Sequence, residues 1–162
     1  MAALILWRWD TPDGAERAGR ILQDLPVAQR EHVHDAALVT WRRGVGTPTT
    51  RPVAELASDQ ALGEGFWGVL FGLIFYSPLL CAAVVSPGEA FTGSIARFGI
   101  PDTFVNRVRD TVTPGTSAVF VLGSDTLVEH LRATGGAEQP ANLLVTRLSS
   151  NQEDALRHVF VG

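Results

Sequence analysis

Lysine is missing from this chain: all 13 basic residues among its 162 are arginine. They are scattered from Arg8 to Arg157, only Arg42 and Arg43 are adjacent, and 17 acidic residues lie between them, for a formal net charge of −4. No basic stripe is available to recruit nucleic acid or anionic lipid. Cysteine is nearly absent as well. Cys81, the single one, cannot form an internal disulfide, which fits a reducing compartment. The opening MAALILWRWD has neither a basic leader nor a small-residue cleavage site, so a cytoplasmic location is expected. Catalytic signatures are missing too. The glycines follow neither the dinucleotide fingerprint nor the phosphate loop, and no serine sits in a Gly-x-Ser-x-Gly elbow. No cofactor is expected.

What the chain does have is apolar residues, 46% of the total against 19% charged. That is enough for one domain, 1–162, with a real core, and too apolar for a disordered chain. Residues 2–9 are strand formers ending at Asp10. Thr11-Pro12 offers a helix start, and Ala15, Ala18, Ile21, Leu22 and Leu25 follow at helical spacing until Pro26. Val33 to Trp41 reads as a strand, and Val45 to Val53 as a short edge strand in which proline is tolerated.

Further on, Pro101-Asp102 opens a helix with Phe104, Val108 and Val112 on one face, and Pro114-Gly115 stops it. Ser117 to Leu122 is an apolar strand, Asp125 to Thr134 a helix ended by Gly135-Gly136, and Asn142 to Leu148 another strand. Ser150 with Glu153 predicts a capping box opening a last helix through Val159.

Two strand-helix-strand units predict an α+β ferredoxin-like sandwich with an antiparallel sheet, interrupted by an insertion. The first unit with its edge strand occupies 1–58, a glycine-rich apolar helical hairpin 59–98, and a helix with the second unit and the C-terminal helix 99–162. Strand alternation puts Ile5, Trp7 and Trp9 opposite Leu4 and Leu6, and Val119 and Val121 opposite Ala118, Phe120 and Leu122. A sheet apolar on both faces needs a cover on each, from the insertion, a partner subunit or lipid.

The insertion carries FWGVLFGLIFYSPLLCAAVV, residues 66–85, without one charge. Pro78 near its middle argues against a single span and for a turn at Tyr76-Ser77-Pro78. The first arm, about 16 residues or about 24 Å, falls short of a bilayer core. Ser86-Pro87-Gly88-Glu89 has the form of a fresh helix start. Gly65, Gly68 and Gly72 form a bare stripe, and each costs about 1 kcal/mol against alanine unless another backbone comes close. Ala82, Ser86 and Ala90, with Gly93 and Ser94, supply a small-residue groove on the second arm. Trp67, Phe71 and Phe75, with Leu70 and Ile74, form the bulky side of the first. The expected contact set for a second copy or a membrane is therefore Gly65, Trp67, Gly68, Phe71, Gly72, Phe75, Pro78, Ala82, Ser86 and Ala90.

The order of these blocks resembles a bacterial family labelled domain of unknown function 1269. The blocks that carry it are FWGVLFGLIFYSPLL (residues 66–80), Phe98-Gly99-Ile100-Pro101-Asp102-Thr103-Phe104 and Pro114-Gly115-Thr116-Ser117-Ala118-Val119-Phe120-Val121-Leu122, and the resemblance extends over nearly the whole chain. It implies a membrane-associated, stress-linked protein with no assigned catalytic residues. Here the family's glycine/alanine helix after the PLL motif is interrupted by residues 81–89.

Other chemistry is sparse. His32 and His34 would share a strand face beside Glu31 and Asp35, but neither His130 nor His158 completes a metal-ligand spacing, so no metal site is expected. Ser149-Ser150 and Thr116-Ser117 suit caps and turns. Cys81 in an apolar run is expected to be inert. Asp59, Glu64, Glu89 and Arg97 form a charged collar around the hairpin. The reading that results is a non-enzymatic, self-associating structural or membrane-peripheral protein whose partner is itself. Its alternatives are an integral membrane protein and a ferredoxin-like small-ligand-binding or sensory domain.

Overall fold

The computed structural model describes residues 2–24, 31–53, 64–75, 99–134 and 143–160. The strands are β1 (Ala2–Trp9), β2 (Val33–Thr40), β3 (Thr49–Pro52), β4 (Ser117–Ser124) and β5 (Leu143–Leu148). The helices are α1 (Gly14–Gln23), α2 (Glu64–Phe75), α3 (Asp102–Thr111), α4 (Asp125–Thr134) and α5 (Ser150–Phe160). The strands form one open sheet in the order β3-β2-β4-β1-β5, antiparallel at every pairing. Among the described strands proline falls only on β3, at the sheet edge, where a missing N–H costs no ladder bond.

Alternation along the two central strands divides the core in two. Leu4, Leu6, Ala118, Phe120 and Leu122 face one side, and Ile5, Trp7, Val119 and Val121 the other. The second side is covered by α1, through Ala15 and Leu22, and α4, through Leu127 and Val128. The first is covered by α2, α3 and α5, through residues such as Phe66, Trp67, Phe71, Phe104, Val108 and Leu156. The chain thus covers both apolar faces of its sheet with its own helices, in three layers.

Several junctions rest on bonds between residues far apart in sequence. Thr11 does not cap α1. The Ser117 hydroxyl at the start of β4 accepts the Ala15 N–H (2.8 Å) and donates to the Thr11 carbonyl (2.6 Å). The capping box of α5 is Ser149 with Gln152 rather than Ser150 with Glu153. Gln152 N–H donates to Ser149 Oγ (3.2 Å) and Ser149 N–H to Gln152 Oε1 (2.8 Å), the reciprocal pattern one residue earlier. Gly115, with φ +91°, turns the chain between α3 and β4 in a region that favours glycine.

The β2–β4 register shifts between Val33 and Asp35, where one extra residue bulges. Val33 therefore joins the α1/α4 core with Ala36 and Leu38, although strict alternation would set it beside Ala37 and Val39. Opposite the bulge the His32 carbonyl passes over Gly123, and a Cβ on that glycine would lie 2.5 Å from it. Gly123→Ala is predicted to destabilise the fold by about 1–3 kcal/mol, measured by chemical denaturation, because the bulge must move to admit a methyl group.

Candidate functional site

The segment with the most distinctive sequence is also the one held most elaborately. After Glu64, every residue of α2 is apolar. Phe66, Trp67, Leu70, Phe71 and Ile74 are buried within the single chain. Phe71 meets Phe120 of β4 edge-to-face at 5.0 Å, Trp67 stacks on Phe71 at 5.7 Å, and Phe66 meets Phe160 of α5 at 5.5 Å. Such pairs are worth about 0.5–1.5 kcal/mol each beyond the area they bury.

Two polar anchors fix the helix. The Trp67 indole N–H donates to the Asp35 carboxylate (2.9 Å), which also accepts the backbone N–H of Ala36 (2.9 Å). Asp35 is only 3% exposed, and a buried carboxylate is tolerable only when donors converge on it. At the other end Arg109 of α3 donates through Nε to the Ile74 carbonyl (3.0 Å) and through Nη2 to that of Leu73 (2.6 Å), while Nη1 donates to Asn106 Oδ1 (3.1 Å). A helical bond to Ile74 would have to come from residue 78, and Pro78 has no N–H to give. The planar guanidinium spreads its donors over three nitrogens in fixed directions, one for each of these acceptors, whereas lysine offers a single nitrogen. Arg8 does the same for α3, donating to the Thr111 carbonyl (2.7 Å).

Beside the bulge lies a polar corner. His34, 8% exposed, has Nδ1 at 3.8 Å from Glu153 Oε1, and Glu153 stands 3.6 Å from Arg157. Burial holds the His34 imidazole below its ordinary value of 6.5, Glu153 works in the opposite direction, and Arg157 and His32 add to the lowering. His32 itself bonds to Ser124 Oγ at 2.8 Å. Among the described residues no group of three or more His, Cys, Asp or Glu side chains could hold a metal. Thr116 Oγ1 closes a turn with Thr113, and Ser117 and Ser149 serve as caps.

The expected contact set therefore separates. Trp67 and Phe71 are core residues, because the apolar sheet face beneath them needs a cover and the bulky side of α2 supplies it. Phe75 is half-buried against Trp41, 5.9 Å away edge-to-face. Gly65 is exposed, Gly68 half-buried and Gly72 buried. Pro78, Ala82, Ser86 and Ala90 lie outside the described residues, as do Cys81 and, from the collar, Asp59, Glu89 and Arg97. The Asp35–Trp67 bond and the Arg109 clamp were not foreseen. An acid amid the apolar residues of β2 was the available signal for the first, and the missing N–H of Pro78 for the second.

These elements define an α+β protein on an open antiparallel sheet, with an apolar helix sealed over one face. Residues 61–161, more than half of the chain, match the family described as "Protein of unknown function (DUF1269)", and the chain belongs to that family. The match takes in α2 to α5 with β4 and β5 and leaves β1 to β3 outside it, a narrower span than the resemblance over nearly the whole chain. No curated protein and no solved structure matches the chain. No helix among the described residues is long and apolar enough to cross a membrane.

Two expected outcomes follow from the anchors. Trp67→Phe keeps the ring but removes the donor to Asp35, and should cost about 1–3 kcal/mol in equilibrium unfolding. Folded His34 holds its proton less tightly than the unfolded chain does, so unfolding takes up protons at acid pH. Its contribution is complete above about pH 6.5 and is lost as pH falls below that value. His34→Gln should flatten the fall in unfolding free energy as pH drops below about 6.5, read from denaturant titrations at a series of pH values.

Proposed function

We propose that this protein is a non-catalytic, self-associating structural protein. Its core is a ferredoxin-like sandwich made by β1, α1, β2, β4, α4 and β5, and the inserted region 59–98 provides the contact between copies. The order β2-β4-β1-β5, antiparallel throughout and with both crossover helices on one face, supports the ferredoxin-like assignment.

The observation that carries the assembly reading is the division of α2 into two sides. Trp67, Leu70, Phe71 and Ile74 face the chain's own core, whereas on the glycine stripe Gly65 is exposed, Gly68 half-buried and Gly72 buried, so the first two stand at the open end of that side. Glycines at exposed or half-exposed positions of a helix lower its stability by about 1 kcal/mol each, a cost that makes sense where another backbone approaches. The bulky residues are then the root of the insertion and the glycines its contact. That the hydroxyls of Thr116, Ser117 and Ser149 are all engaged in turns and caps supports the non-catalytic part. A cytoplasmic, membrane-peripheral setting is compatible with the same contact.

Light scattering on purified protein without detergent tests this directly. The wild type should have a mass above that of one chain, and Gly68→Leu should lower it while circular dichroism and the melting temperature still report a folded core. A wild type that stays monomeric at high concentration would overturn the proposal, and recovery only in detergent would favour the integral membrane alternative.

A further inference from the structure

On the α1/α4 side of the sheet the two helices do not reach the β3 edge. α1 lies over β1, β2 and β4, and between it and β3 an open groove of about 280 Å³ remains. Its floor is apolar, formed by Leu38 and Val53, which are 6% and 2% exposed. Its rim is polar: Arg20 and Gln23 on the last turns of α1, Arg51 on β3, and Glu16 one turn earlier.

In a chain of net charge −4, two arginines on different elements line the groove, and among the described residues neither is ion-paired. Gly19 keeps the groove open. A Cβ there would point at Leu38, 3.8 Å from Cδ2, so any longer side chain would run across the floor.

We infer that this groove is a binding site for a small organic anion, with a carboxylate or phosphate head held by Arg20 and Arg51 and a short apolar body on Leu38 and Val53. The chemistry of the lining matches that class. Guanidiniums bind oxyanions through paired, charge-assisted hydrogen bonds, and the Gln23 amide adds a neutral donor. The volume lies just below the roughly 300–1,000 Å³ of drug-sized pockets, which sets the ligand at metabolite size. The site shares no residue with α2 and stands independently of the proposed assembly.

Isothermal titration calorimetry of the full chain with hexyl phosphate, hexanoate, hexylammonium and inorganic phosphate tests the inference. Saturable one-to-one binding of hexyl phosphate or hexanoate is expected, and the tighter of the two identifies the head group. Arg20→Gln and Arg51→Gln should each weaken it about tenfold. Gly19→Leu should abolish it with both arginines in place, and an unchanged far-ultraviolet spectrum would show that the variants remain folded. No binding of either anion, equal binding of hexylammonium, inorganic phosphate binding as tightly as its hexyl ester, or affinity unaltered in all folded variants would each overturn it.

Discussion

A sheet whose central strands are apolar on both faces cannot stand in water on either, and most of this structure follows from that constraint. β1 and β4 carry Leu4, Leu6, Phe120 and Leu122 to one side and Ile5, Trp7, Val119 and Val121 to the other. Two crossover helices are what a strand-helix-strand pair provides, and both fall on the same side. The opposite face needs material from elsewhere, and α2, α3 and α5 supply it. With about 25 cal/mol gained per Å² of apolar surface removed from water, a face lined by Phe120 and three leucines gives a strong drive to fold α2 onto the sheet.

This drive explains the unusual composition of α2. An all-apolar helix is normally deep in a core or in a membrane. Here one side is deep in the core and pinned at both ends, by Asp35 through Trp67 and by Arg109 through the terminal carbonyls. The anchors share a logic. Polar groups at these places are satisfied by side chains distant in sequence, and at the ends of α2 and α3 an arginine donates to the terminal carbonyls. An arginine-only basic complement suits a fold that uses guanidiniums as caps.

Much of this architecture was legible in the sequence, because it rests on local signals. Prolines and glycines punctuate the chain at Pro12, Pro101, Pro114 and Gly115, and the period-2 pattern of β1 and β4 assigns each residue to its face. α4 begins at Asp125 and ends at Thr134, as its pattern implies. Bonds that depend on tertiary neighbours were not legible. Nothing near Ser117 announces that its hydroxyl will cap a helix about a hundred residues earlier, and nothing in His32-Val33-His34-Asp35 announces a bulge that moves Val33 to the other core. Trp67 and Phe71, expected at a contact with a second copy or a membrane, are buried within the chain itself, and the sequence could not show this for a related reason. A hydrophobic run says that burial is required but not by what, and a second subunit, lipid and the chain's own sheet are equivalent until the topology is known.

The central claim is that α2 belongs to the core of its own subunit, whatever contact its glycine side makes. Hydrogen exchange at the backbone amides of Leu70 to Ile74 tests it most directly, followed without detergent while the protein is diluted. The account predicts protection comparable to that of β4 and independent of concentration. Loss of protection in α2 on dilution, with β4 still protected, would show that the helix is ordered only by contact between chains and would contradict it.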